Sequence, residues 1–377
     1  MRGLAILLGV GLIVAEGLMA WLMMRRLRRP PRKTYAWAVS KGLPGDPKEL
    51  RPQEGGGGGP REFREWKLRD PARAGREYPV WDIVGDDPAG PVVVFTPGWG
   101  DAKVSVLPRL RGLAAVSSRI IAWDPPGHGD APGLCGLGVR EPRLIAELVR
   151  KAQERGIAAE STEDTEKRGR EVGRKTEERG VVLYGSSLGA GASIVCAAAG
   201  VKDARIVGVI AEGVYRWPWT PAFRVMRLSG YPWRVNGPIV FALMGLRMGM
   251  GPTWGAAGWR GRGGPFDRAW WAERLGAKGV PLLVLHGTED EVCPVEDGRA
   301  AAEAWRKGFA AEKRRARSGD GDAVGEEADA CARMVEIEGG GHNDLWTEEK
   351  FAAECGSAVK AFVSAAGRDS AERGPRA

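Results

Sequence analysis

Histidine is scarce in this chain, with three among 377 residues, so few side chains could act as an imidazole base. The five cysteines are scattered and form no CxxC pair, which argues against a zinc site and against a disulfide framework. No nucleic-acid-binding motif is present, and the net charge of +8 is concentrated in a basic cluster at residues 25–33. We therefore expect no metal ion and no nucleic-acid partner, and the cysteines suit a reducing compartment.

Charged residues are also nearly absent from residues 4–24, where Glu16 is the single exception. A helix of this length crosses the hydrocarbon core of a bilayer, which is about 30 Å thick. A buried core helix or a cleaved signal peptide would also be apolar, but a signal peptide carries its positive charge before the apolar run. Here Arg2 stands alone before the run and six Lys or Arg residues follow it. This pattern favours a single-pass membrane anchor, with the following domain in the cytoplasm.

The rest of the chain divides by composition. Basic residues, prolines and five consecutive glycines predict a flexible linker after the anchor. A long stretch rich in Trp and Met lies where a short crossover helix would suffice, which predicts a cap. The expected divisions are 1–24 for the anchor, 25–60 for the linker, 61–212 and 273–366 for the core, 213–272 for the cap and 367–377 for a disordered tail. Within the core, 158–179 and 317–330 are charged and read as surface insertions.

Short apolar runs alternate with helical stretches along the core. Most of the runs lack polar alternation, which is typical of strands buried on both faces in a parallel sheet. The predicted strands are 78–84, 91–96, 119–123, 181–184, 205–211, 281–286 and 333–337, and the predicted helices are 104–116, 140–155, 188–199, 294–315 and 347–365. This order predicts a doubly wound α/β fold with a mostly parallel sheet.

The segment "VVLYGSSLGAGAS" contains two serines at the junction of a predicted strand and a predicted helix. The G-x-S-x-G pattern spans Gly185 to Gly189 and places Ser187, not Ser186, at its centre. A nucleophile at this position needs a sharp turn, and only small residues fit two positions before and after it. The helix that follows offers free N–H groups near its start, so the N–H of Leu188 is a candidate oxyanion donor.

A serine nucleophile needs a base, and the base needs an orienting acid. His342 lies on a glycine-rich loop after the last predicted strand, whereas His128 and His286 are interpreted as structural. The acid is expected after a strand between the serine and the histidine, and Asp290 fits that place although acidic residues flank it on both sides. The order Ser, Asp, His is that of an α/β-hydrolase triad.

Five segments together give the chain its resemblance to α/β-hydrolase-fold serine hydrolases, in particular to the serine-aminopeptidase-like and lysophospholipase-like esterases. They occur in family order and cover roughly residues 75–365. The segments are "TPGWGDAK" at 96–103, "WDPPGHGDAPG" at 123–133, "YGSSLGAG" at 184–191, "LHGTEDEVCP" at 285–294 and "GGGHND" at 339–344.

The resemblance implies that Ser187 is the nucleophile, His342 the base and Asp290 the acid, with no cofactor. It also implies a second oxyanion N–H, from Trp99. The chain departs from many relatives in carrying Pro97 before Gly98 where they carry histidine, but the donors come from the backbone, so we expect the oxyanion hole to survive.

A membrane anchor and a Trp-rich cap favour an apolar acyl substrate, such as a lipid-like ester or thioester. Packing within the cap explains the tryptophans equally well. Two other functions stay open: a serine peptidase of the same fold, and a membrane-anchored binding protein that has lost turnover. The intact set of Ser, Asp and His argues against the binding protein.

Overall fold

The computed structural model describes residues 2–51, 59–158, 179–202, 204–247, 266–316 and 331–372. Its strands form one eight-stranded sheet in the order β1-β2-β4-β3-β5-β6-β7-β8. Strands β1 and β2 are antiparallel to their neighbours, and the others run parallel. The strands are β1 Phe63–Arg69, β2 Glu77–Val84, β3 Val92–Thr96, β4 Arg119–Trp123, β5 Val181–Ser186, β6 Ile206–Glu212, β7 Leu282–Gly287 and β8 Ala332–Ile337. The predicted α/β fold with a mostly parallel sheet is confirmed.

Helices cover both faces of this sheet, which is why its central strands are apolar on both sides. The helices are α1 Arg2–Arg28, α2 Tyr35–Ser40, α3 Leu110–Leu113, α4 Glu141–Ala158, α5 Leu188–Ala199, α6 Trp219–Leu228, α7 Trp233–Arg247, α8 Arg268–Ala277, α9 Val295–Ala316 and α10 Glu349–Glu372. Short 3-10 helices occupy Pro47–Glu49, Lys103–Arg109 and Ala114–Val116. One hydrophobic core joins the sheet to α4, α5, α8 and α9, and a second core joins it to α3 and α10.

Three elements of the core differ from the expectation. Strand β1 was not predicted, because its sequence FREWKLR is largely polar and only Trp66 and Leu68 are buried. It lies at the edge of the sheet, where one face can remain in water. Helix α8 begins within the stretch assigned to the cap but packs in the first core, where Ala272 and Leu275 are buried. Helix α10 continues to Glu372, beyond the predicted start of the tail at 367.

Part of the predicted linker packs against the hydrolase core. Helix α2 places Ala38 in the second hydrophobic core with no exposed surface. Lys33 forms a salt bridge of 2.8 Å with Asp101, and Arg32 donates to the carbonyl of Gly129 at 3.1 Å. The expectation of a free tether over 25–60 is therefore wrong for this part. The run of glycines at 55–58, the tail from 373 and nearly all of both polar insertions lie outside the described residues.

Candidate active site

Ser187 occupies the tight turn between β5 and α5. Its φ of +50° and ψ of −110° are strained for a residue with a side chain. The turn requires its two glycines, because a Cβ on Gly185 would lie 2.2 Å from the backbone of Gly189. A Cβ on Gly189 would lie 2.0 Å from the carbonyl oxygen of Thr96. The sequence thus fixes a turn that raises the Ser187 hydroxyl above the carboxyl end of the sheet.

His342 and Asp290 lie beside this turn. The Nε2 of His342 is 3.1 Å from the Oγ of Ser187, and its Nδ1 is 2.6 Å from the Oδ2 of Asp290. Asp290 lies on the loop after β7, and His342 lies on the loop after β8. Parallel strands end at the same edge of the sheet, so three residues far apart in the sequence meet there. This geometry suits proton transfer from the serine to the imidazole, although the catalytic roles remain predictions.

The carboxylate of Asp290 is held by donors on both oxygens. Its Oδ1 accepts from the backbone N–H groups of Val292 at 2.8 Å and Cys293 at 2.7 Å. His286 lies 3.5 Å from Oδ2, and its Nε2 is also 3.0 Å from the carbonyl oxygen of Cys293. Burial raises the pKa of Asp290, but hydrogen bonds from His286 and His342 outweigh it and hold that pKa well below its usual range. Asp290 is therefore ionised at neutral pH.

The two candidate oxyanion donors lie on either side of the serine. Leu188 is the first residue of α5, where a backbone N–H has no partner within its own helix. Gly98 approaches the serine closely, since a Cβ on Gly98 would lie 3.2 Å from the Cβ of Ser187. Trp99 follows Gly98, and its indole N–H donates to the carbonyl of Leu27 at 2.7 Å. The loop after β3 is therefore close enough to supply a second backbone donor.

Glu212, at the end of β6, is a site residue that the sequence interpretation missed. It is 3% exposed and accepts hydrogen bonds from Arg109, Tyr184, Ser186 and Trp346. Its backbone carbonyl also accepts from the N–H of Ser187 at 2.7 Å. Glu212 thus joins the serine turn to the loop that carries His342, because Trp346 belongs to that loop. The signal was available in the sequence as an acidic residue that ends a continuous apolar strand.

Comparison with known proteins agrees with this architecture. The model of the alpha/beta hydrolase family matches residues 93–354. The chain belongs to that family. The hydrolase fold is similar to that of the esterase Pf2001 of Pyrococcus furiosus, with a TM-score of 0.53 and 13% identity over 89% of this chain and 99% of that chain. It is also similar to an acylaminoacyl peptidase of Pyrococcus horikoshii, with a TM-score of 0.50 and 14% identity over 80% of this chain and 40% of that chain. No curated protein sequence matches this hydrolase.

Two further features of this hydrolase bear on metal and base chemistry. Ligand atoms of Asp290, Cys293 and His342 lie within 4.8 Å of one another, a spacing that could hold a metal ion. Burial and the nearby Asp290 raise the pKa of the Cys293 thiol, so it is protonated at neutral pH and is a poor metal ligand. His128 is fully buried, and burial lowers its pKa, so its ring is neutral. Its Nδ1 lies 3.1 Å from the carbonyl of Pro126, a contact typical of a structural histidine.

Proposed function

We propose that this protein is a membrane-anchored serine hydrolase that cleaves an apolar carboxylic ester or thioester. The observation that carries the proposal is the continuous chain of contacts from the Oγ of Ser187 through His342 to Asp290, with distances of 3.1 Å and 2.6 Å. A serine hydroxyl becomes a nucleophile only when a positioned base takes its proton, and this chain supplies both the base and the acid that orients it.

In the proposed mechanism, Ser187 Oγ attacks the acyl carbonyl while the Nε2 of His342 accepts the hydroxyl proton. The N–H groups of Leu188 and Trp99 hold the developing oxyanion, and each such donor contributes about 3 kcal/mol in comparable sites. The C–O or C–S bond then breaks, and His342 gives its proton to the leaving alcohol or thiol. Water activated by the same imidazole hydrolyses the acyl-enzyme and regenerates the free serine.

The membrane anchor rests on α1. The helix is long and apolar enough to cross a bilayer, and its side chains are largely exposed, as at Leu7 with 71% and Ile13 with 73% of its surface. A soluble core helix of this composition would be buried. The basic residues that follow it favour a cytoplasmic hydrolase domain. An enzyme held at a bilayer meets lipid-like acyl substrates at high local concentration, which supports the substrate class.

Ester and peptide substrates can be separated with the full chain in detergent micelles or nanodiscs. We expect kcat/KM for p-nitrophenyl esters to rise about tenfold or more from the acetyl to the octanoyl ester, because each buried CH₂ contributes about 0.8 kcal/mol. Aminoacyl anilides should react more slowly than either. Faster cleavage of the anilides would make the protein a peptidase. Equal, residual rates for wild type and Ser187→Ala on every substrate would make it a binding protein.

Replacing Asp290 with Asn is expected to lower kcat for esters by about 10⁴, with little change in KM. The amide removes the negative charge that stabilises the imidazolium and fixes its tautomer. Glu289→Gln is the matched control, because Glu289 is exposed and precedes Asp290 in the same loop. It should stay within about twofold of the wild type. A comparable loss of kcat in Asp290→Asn and Glu289→Gln would contradict the assignment of Asp290 as the acid.

The lowered pKa of Asp290 also predicts a feature of the pH profile. A carboxyl group whose pKa is depressed stays ionised down to low pH, so Asp290 is charged across the neutral and mildly acidic range. Loss of activity between about pH 7 and 5 should therefore not arise from protonation of this carboxylate. The measurement is kcat/KM against pH for the wild type and Asp290→Asn. If the loss between about pH 7 and 5 disappeared in Asp290→Asn, this assignment would be contradicted.

A further inference from the structure

Helix α1 packs along one side against two helices of the predicted cap. Ala20, Met23 and Leu27 lie on one face of α1 and are at most 2% exposed. They share a hydrophobic cluster with Met226 of α6 and Phe241 of α7. We call the unit formed by α6, the turn at 229–232 and α7 the cap hairpin. The half-buried and buried positions of α1 begin at Glu16, so the cap hairpin lies along the half of α1 nearest the hydrolase core.

A polar pair joins α1 to the cap hairpin within this apolar contact. The side-chain amide of Asn236 is 1% exposed and donates to the carboxylate of Glu16. Glu16 is the single charged residue in the apolar run of 4–24. Buried polar groups away from water need such partners. The contact therefore explains why an otherwise costly Glu16 is tolerated, and it places the start of α7 beside the middle of α1.

The outward face of α7 is apolar as well. Val235, Ile239 and Leu243 are 62%, 46% and 41% exposed, and their spacing of four residues aligns them in one stripe. Pro238 and Ala242 are exposed between them. A surface helix in water normally carries polar residues on its outer face, whereas a helix that is apolar all round is surrounded by protein or lipid. We call these five residues the α7 stripe.

The end of α1 is fixed to the hydrolase core close to the catalytic serine. The indole of Trp99 donates to the carbonyl of Leu27 at 2.7 Å, and the N–H of Cys135 donates to the carbonyl of Arg28 at 3.0 Å. On the other side, Arg224 of α6 donates to the carbonyl of Glu291, next to Asp290, at 2.9 Å. Helix α1, the cap hairpin and the loops around Ser187 are thus linked directly.

We propose that the cap hairpin enters the lipid leaflet next to the hydrolase domain, with the α7 stripe in contact with acyl chains. The proposal rests on the proposed membrane anchor and extends it. Lipid is the occupant because the α7 stripe lies beside α1, whose exposed side chains are also apolar, and because the basic residues 25–33 at the end of α1 suit anionic headgroups. The opening of the Ser187 site is then held against the membrane, so that a lipid substrate need not pass through water.

Two arginines set the depth of this insertion. Arg227 and Arg234 are exposed at the tip of the cap hairpin. A guanidinium group in hydrocarbon is costly, and long side chains, tilting of helices and local thinning of the bilayer bring it to phosphate or water. We therefore expect α1 to be tilted and the α7 stripe to lie at a shallower depth than the middle of a straight span.

The test uses the full chain in vesicles of phosphatidylcholine and phosphatidylglycerol that contain brominated acyl chains. An environment-sensitive fluorophore is attached through Ile239→Cys, and the unsubstituted chain measures labelling of the native cysteines, most of which are buried. Ile13→Cys on α1 is the positive control. Val84→Cys is the negative control. Val84 is 53% exposed and pairs with Arg119 at the start of β4, at the end of the strands opposite the Ser187 site. We expect quenching at 239 of at least half that at 13, and none at 84.

The outcomes separate the two proposals. Quenching at 13 but not at 239 would overturn the insertion of the cap hairpin and leave the anchor intact. No quenching at either position would overturn both. A disulfide-linked dimer through Ile239→Cys, without quenching, would assign the α7 stripe to a second copy of the chain.

An activity measurement provides a second readout. Ile239→Asp should lower hydrolysis of an ester embedded in the same vesicles at least tenfold and leave hydrolysis of soluble p-nitrophenyl acetate unchanged. Val84→Asp should change neither rate. Equal losses on both substrates in Ile239→Asp would contradict the proposal, because Ile239 would then support the hydrolase fold instead of contacting the membrane, and equal retention on both would contradict it as well.

Discussion

Replacing Ser187 with Ala is expected to lower kcat for ester hydrolysis by about 10⁶, leaving only the rate supplied by binding and oxyanion contacts. The reason is chemical, because the proposed acyl-enzyme cannot form without the Oγ that lies 3.1 Å from His342. Folding should be unaffected, since alanine adopts the same backbone and removes one oxygen. Single-turnover and steady-state rates with a p-nitrophenyl ester, measured on the full chain in detergent, give the comparison.

The chain contains its own control in Ser186, the adjacent serine. The Oγ of Ser186 donates to the carboxylate of Glu212 at 3.1 Å, whereas among the described residues His342 bonds to the Oγ of Ser187. Ser186→Ala should therefore keep the rate within about tenfold of the wild type. If Ser186→Ala lost most of the activity while Ser187→Ala kept it, the assignment of the nucleophile would be wrong.

Replacing Glu212 with Ala is expected to destabilise the fold by about 3–5 kcal/mol, the cost of leaving a buried charge without its partner. Arg109 pairs with Glu212 through two nitrogens, and both side chains are buried. For a chain of this size that free energy corresponds to a fall in Tm of about 5 °C. Glu349→Ala is the control, because Glu349 pairs with Arg111 at 81% exposure and should cost less than about 1 kcal/mol.

The sign of the pH dependence follows from the same contacts. Burial raises the pKa of Glu212, but the charge and hydrogen bonds of Arg109, with those of Tyr184 and Trp346, outweigh it and lower that pKa overall. A depressed carboxyl pKa contributes stability that is fully present above about pH 4.3 and is lost as pH falls through the folded-state value. Thermal unfolding of wild type and Glu212→Ala should converge on acidification. A constant difference from pH 7 down to strongly acidic pH would contradict this role.

The central strands could be predicted because strands buried on both faces consist of continuous apolar runs, which are visible in the sequence. The runs at 119–123 and 181–184 are apolar on both faces, and the structure begins β4 and β5 at the predicted residues. Strand β1 could not be found in this way, since its edge position leaves Arg64 and Lys67 in water and removes the apolar signal. Helix α8 was not predicted, because the tryptophans at its start were assigned to the cap.

The residues of the candidate triad could be predicted from the sequence, but the contacts that hold them in place could not. The turn around Ser187 depends on a short local pattern, so its two glycines were enough to predict it. The contacts of Glu212 with Arg109 and Trp346 span more than a hundred residues each, and no local pattern encodes such distances. The same holds for the pair of Glu16 and Asn236, which lie 220 residues apart in the sequence.

The most direct measurement is covalent labelling by a fluorophosphonate, followed by mass spectrometry of the modified peptide. An activated serine attacks the phosphorus, expels fluoride and retains the phosphonyl group, whereas an ordinary serine does not react. We expect one adduct, on Ser187, in wild-type membranes, and none in His342→Ala, where the hydroxyl remains but its base is gone. Absence of an adduct from folded wild-type protein, or equal labelling of both proteins, would contradict an activated nucleophile at this position.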